Sequence, residues 1–185
     1  MAPRIAVQES YRNWVPPVKV SRAVTRLLQS VPEKFVAGLG SVVLTNASGL
    51  NHSDRRNKTQ SAGRKVRIAD AGGLYHHAWR GQPAWIELFI DNIFDGYPKA
   101  MLSLPPVRDL LLGAVLFHEL GHHTHKTHAP EFREKEQVAD RWQKRFLDSY
   151  MRRRYWYIVR PLGVSTRLCR KLSRLMSNRG IVAGP

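Results

Sequence analysis

The sequence predicts an α+β fold: a small, mostly antiparallel sheet packed on one long helix, with further helices toward the C-terminus. Three observations carry that prediction. Strand-like runs, rich in β-branched and aromatic residues and punctuated by Gly, Pro and Asn, fall between residues 41 and 91. The helix-like runs from Pro105 onward are each much longer than a strand. The chain has 185 residues, is 43% hydrophobic and has one cysteine, Cys169, which suits a single core without a disulfide framework. Strands grouped ahead of helices, rather than alternating with them, point to α+β order.

Taken in order, residues 1–20 read as a tail leading into Pro16-Pro17. Val24, Leu27 and Leu28 share one face of a predicted helix over Ser21–Gln29, which ends before Pro32. Ser41–Thr45 reads as a strand, and Asn46–Arg64, rich in Ser, Asn, Gly and charge, as an exposed loop. Lys65–Ile68 is a short candidate strand. Gly73–Trp79 and Ala84–Asp91 flank Arg80-Gly81-Gln82-Pro83 and read as a β-hairpin. Pro105-Pro106 open a long apolar helix to about His123, and Pro130-Glu131 open another to about Arg152. Ser165 can cap a last helix ending near Ser177. The expected organisation is a tail over 1–20, a domain over 21–160, and a basic amphipathic helix and tail over 161–185.

The net charge of +16 is unevenly placed. Residues 141–185 hold 12 Lys/Arg against Asp148 alone, and residues 52–67 hold six against Asp54. Those two segments account for the whole excess, so a neutral body carries a basic loop and a basic C-terminal quarter. Such segments favour polyanions: nucleic acid, an anionic membrane surface or acidic protein. The apolar run Leu110–Phe117 falls short of the roughly 20 residues that span a bilayer. The first ten residues lack an apolar run, so no signal peptide is expected and the cytoplasm is the default compartment.

Chemistry concentrates between residues 118 and 128, which hold five of the eight histidines. His118-Glu119-Leu120-Gly121-His122 is an H-E-x-x-H pattern. Residues four apart on a helix lie one turn apart on the same side, so two imidazoles can point at one ion. Zinc suits such nitrogen ligands, and Glu119 beside them can act as general base and acid. At this composition a chance match is expected on the order of 0.01 times per chain. Two residues compete as third ligand. His128 lies at metzincin spacing, but His125 stands where that pattern has its turn glycine. Glu136 lies on the next predicted helix, which can fold back antiparallel. Asp140, one turn beyond it, could fix a ligand ring, and Ala139 would allow the helices to pack closely.

His118-Glu119-x-x-His122 followed by Glu136-x-x-Ala139-Asp140 resembles the compact gluzincin metallopeptidases with an E-x-x-A-D second motif. The resemblance covers roughly residues 84–145. It implies a zincin-like fold, zinc held by His118, His122 and Glu136, Glu119 as the catalytic base, and Asp140 as partner of a ligand histidine. It implies a peptide or protein substrate held by strand addition along one arm of the hairpin. Tyr75, His76, His77, Tyr155 and Tyr157 are candidates for steadying the oxyanion, with no assignment among them. His123 and His125 are expected to face solvent or to support the ligands.

The sequence thus offers a zinc metallopeptidase as its first functional reading. A basic nucleic-acid- or membrane-surface-binding protein with a degenerate or regulatory metal site is the other.

Overall fold

A computed structural model describes residues 5–61, 64–128 and 136–158 of the chain. Its strands are β1 (Ala6–Glu9), β2 (Leu39–Thr45), β3 (Lys58–Ser61), β4 (Arg64–Arg67), β5 (Gly73–His76) and β6 (Ala84–Phe89). Its helices are α1 (Ser21–Gln29), α2 (His52–Arg56), α3 (Ile90–Phe94), α4 (Lys99–Leu102), α5 (Pro105–His128) and α6 (Glu136–Arg154). The fold is α+β. The helix over Ser21–Gln29 appears with the bounds that its apolar spacing predicts.

The main sheet has the order β1-β2-β6-β5. It is mixed, not mostly antiparallel: β1, β2 and β6 run parallel, and β5 alone runs against them. The reason lies in the connections. Only β5 and β6 are joined by a tight turn, in which Trp79 and Gln82 exchange backbone hydrogen bonds of 3.1 and 2.9 Å. Arg80 and Gly81 lie in the left-handed region there, as the twist of a two-residue hairpin requires. The other neighbours are linked by long segments that carry the chain back to the same end of the sheet.

Two expectations are corrected in the first half of the chain. The segment read as a tail supplies the edge strand β1, because four residues pairing beside β2 are too few to show a pattern. The Asn46 side chain fastens its exit by accepting from the Arg12 N–H at 2.8 Å and donating to the Arg12 carbonyl at 3.0 Å. The segment read as a loop, Asn46–Arg64, contains α2 and β3; β3 pairs antiparallel with β4, which covers most of the candidate strand Lys65–Ile68. Polar strands of four residues carry no alternation to read.

Val42, Leu44, Ile86 and Leu88 fill one face of the main sheet and are fully buried, whereas Ser41, Val43, Thr45, Trp85 and Glu87 alternate with them and stay part-exposed. The buried face packs with Val24 and Leu27 of α1 and with α5 in one core. Every residue of α5 from Asp109 to Gly121 is buried, as a helix apolar nearly all round must be. It runs five residues past its expected end, through His128.

Helix α6 lies antiparallel along α5. Gly121 meets Ala139, Gln143 Nε2 donates to the Ala114 carbonyl at 2.6 Å, Gly113 meets Leu147, and the Tyr150 hydroxyl donates to Asp109. The expected helix start at Pro130 and the last helix over Ser165–Ser177 lie outside the described residues. No helix among the described residues is long and apolar enough to cross a membrane.

Candidate metal centre

His118 and His122 lie one turn apart on α5, with their Nε2 atoms 3.2 Å from each other. Helix α6 brings Glu136 to the same point. Its Oε2 is 3.2 Å from His118 Nε2 and 3.8 Å from His122 Nε2. One donor atom from each of the three lies within 4.8 Å of the others, so the cluster could hold a metal ion. Asp140, one turn along α6, places Oδ1 3.0 Å from His118 Nδ1. A carboxylate only accepts, so the tautomer that suits this approach carries its proton on Nδ1. In the neutral ring the lone pair of Nε2 then faces Glu136 and His122.

Backbone proximity delivers Glu136. A Cβ on Gly121 would lie 2.7 Å from both Cα and O of Ala139. Glycine on α5 and alanine on α6 therefore let the two backbones touch. Glu136, one turn before Ala139, is carried within reach of the histidines. The glycine inside the H-E-x-x-H pattern serves this contact, a role that the pattern itself does not announce.

The electrostatics call for a cation. Burial disfavours a charged His118. The carboxylates of Asp140 and Glu136 close to its ring nitrogens, and the charge of Glu119, overcome that penalty and raise its pKa to about 10. Nearly buried imidazoles ringed by carboxylates bind either a proton or a metal ion.

Glu119 is buried on the neighbouring side of α5, under the sheet edge. A Cβ on Gly73, at the start of β5, would lie 3.1 Å from Glu119 Cγ and 2.9 Å from Val115 Cγ1. Glycine at that position makes room for the Glu119 side chain. The hairpin arm β5 is thus the edge strand beside the cluster, while β6 is paired on both sides. The sequence left that choice open.

The other histidines have different work. His128 lies against the Phe35 ring, with centroids 5.4 Å apart, and is not in the cluster; Glu136 is. His123 and His125 do not face solvent; both are buried. His123 Nε2 donates to the Ala37 carbonyl at 2.9 Å, which leaves Nδ1 to accept from the Tyr75 hydroxyl at 3.1 Å. Burial lowers its pKa, in keeping with a neutral ring. This pair clamps β5 to α5 next to His122, and nothing in the sequence spacing signals it.

Of the remaining candidates, His76 stacks on Trp85 at 3.7 Å and meets Glu87 at 3.3 Å, while Lys126 reaches His77 at 2.8 Å. Tyr155 is turned to Asp109, toward the opposite end of α5 from the cluster, and Tyr157 packs beside Tyr155.

Comparison of the chain with protein-family models, with curated proteins and with solved structures found no match.

Proposed function

We propose that this chain is a zinc metallopeptidase with a zincin-like fold. The observation that supports this most is the meeting of His118, His122 and Glu136 on one point, with Glu119 beside them under a sheet edge. The donor set is two imidazoles and a carboxylate, which suits catalytic zinc. Bonds of about 2.0–2.1 Å in a tetrahedron give donor–donor edges of about 3.3–3.4 Å. The three separations here are 3.2, 3.2 and 3.8 Å.

His118, His122 and Glu136 would hold the ion. Zinc would supply Lewis acidity for the scissile carbonyl and lower the pKa of the attacking water. Glu119 takes a proton from that water as its oxygen bonds to the carbonyl carbon. It then gives the proton to the amine as the C–N bond breaks, leaving a carboxylate and an amine. Asp140 holds the His118 ring with Nε2 toward the ion. The outer edge of β5 offers backbone N–H and C=O groups to an extended peptide lying over Glu119. The clamp from Tyr75 to His123 keeps that strand at a fixed height over α5.

Purified protein should carry about one zinc ion per chain. Glu119→Gln should keep the metal and lose peptide cleavage. Cleavage at the wild-type rate by that variant would overturn the mechanism.

A further inference from the structure

The end of the molecule farthest from the metal cluster along α5 has a composition that neither the core nor the proposed catalysis explains. Asp109, fully buried near the start of α5, accepts hydrogen bonds from the hydroxyls of Tyr150 and Tyr155. Arg26 Nη2 stands 3.4 Å from it and Arg108 Nε 3.7 Å. Pinning Tyr155 turns the chain at the end of α6. Trp156 and Tyr157 are then left 58% and 56% exposed, beside the exposed Arg152, Arg153 and Arg154. At the same end, the turn that leads into α5 exposes Met101 at 42% and Leu104 at 53%.

This pole combines three chemistries. Arg26 and Arg108 lie against Asp109 and Arg152 is near Asp148, while Arg153 and Arg154 stand exposed beside them. Trp and Tyr, each with an apolar body and a polar tip, stand in water. Leu and Met side chains are exposed with no polar function. Nucleic acid would use the arginines and could stack on the rings, but it offers nothing to Leu104 or Met101. A bilayer surface uses all three: anionic headgroups for the arginines, the interfacial zone for Trp156 and Tyr157, and the acyl boundary for Leu104 and Met101. In sequence, residues 159–185 hold six further Lys/Arg and no acid.

We propose that the pole formed by Met101, Leu104, Arg152–Arg154, Trp156 and Tyr157 docks on an anionic lipid bilayer. His118 and His122 lie roughly 14 and 20 Å further along the helix than Asp109, at 1.5 Å per residue, so docking leaves the metal cluster clear of the lipid. At about fivefold per arginine near the surface, Arg152–Arg154 alone favour an anionic over a neutral surface on the order of 100-fold.

The test is co-sedimentation of the full-length protein with vesicles. One set is pure phosphatidylcholine, and the other contains 30% phosphatidylglycerol (about the anionic content that sets such surface potentials). A short DNA duplex serves as the competing polyanion. Wild type should bind the anionic vesicles at least about tenfold more tightly than the neutral ones. The double variant Trp156→Ala/Tyr157→Ala keeps every charge, including those of residues 159–185. It should lose about tenfold in binding to anionic vesicles and little in binding to DNA. Both residues are exposed, so thermal unfolding of the variant should match wild type. Leu104→Ser provides an independent loss at the same pole. Equal binding to the two vesicle types would overturn the proposal. So would vesicle binding that is unchanged in both variants, or DNA binding that falls with the aromatic pair while vesicle binding does not.

Discussion

Gly121→Ala should separate the two helices that build the candidate metal cluster. The added Cβ would sit 2.7 Å from Cα and O of Ala139 and 3.1 Å from its carbonyl carbon. Ordinary carbon contacts lie at about 3.5–4.0 Å, so the helices must part by about 1 Å at this crossing. The obstacle is backbone on both sides and cannot rotate away. Glu136, one turn from Ala139, moves with α6. Metal–ligand bonds tolerate about 0.2 Å, so a shift of that size removes the third ligand. Zinc affinity should fall at least 10–100-fold. Overpacking costs about 1–3 kcal/mol, and replacing a mid-helix glycine returns about 1 kcal/mol of helix propensity. The net cost of about 0–2 kcal/mol should lower the melting temperature of the metal-free variant by up to about 8 °C, at roughly 2–4 °C for each kcal/mol lost. Gly113→Ala is the control on the same helix. Its Cβ meets Leu147 Cδ1 at 3.0 Å and Leu27 Cδ2 at 3.3 Å, which are side-chain ends that can give way. It should keep zinc affinity at the wild-type value. Chelator competition and thermal melts on the three proteins decide the matter. A Gly121→Ala protein with wild-type zinc affinity and melting temperature would refute the reasoning.

Further outcomes follow from the same geometry. Glu136→Ala should lose most bound zinc by elemental analysis, whereas His128→Ala, whose ring packs on Phe35, should retain it; the reverse result would exchange their roles. In the metal-free chain His118 holds its proton up to a pH of about 10, and an entering metal ion must displace it. Apparent zinc affinity should therefore rise as pH rises toward that value, and a pH-independent affinity would contradict the assignment. The same shift stabilises the metal-free fold fully below pH 6.5, and that contribution disappears as pH rises through about 10, which chemical denaturation at stepped pH can follow. Asp109→Asn leaves the geometry but removes the buried charge that faces Arg26, Arg108 and two tyrosine hydroxyls. A loss of about 3–5 kcal/mol in urea unfolding is expected, and a neutral effect would mean that the pole relaxes around the change.

Spacing along the chain is enough for features that depend on near neighbours. The spacing of Val24, Leu27 and Leu28 sets α1, and the nearly unbroken apolar circumference of Leu110–Leu120 marks α5 as the buried central helix. The four-residue step from His118 to His122 is enough to place both rings on one side, because helical geometry repeats locally. Asp140 was legible for the same reason, once Glu136 was taken as its partner in the cluster.

Other features required the chain to close on itself. Whether Glu136 or His128 joins the histidines depends on how near α6 comes to α5, and two small residues far apart in sequence, Gly121 and Ala139, set that distance. The strand directions follow from long connections that have no periodicity of their own, so the mixed sheet could not be read from its parts. Which hairpin arm forms the edge depends on the seat that β2 takes beside β6. The bond from Tyr75 to His123 and the turning of Tyr155 onto Asp109 join residues dozens of positions apart, through single polar contacts. Patterns along a chain report which face an element buries; which partner it meets there is decided only when the elements pack.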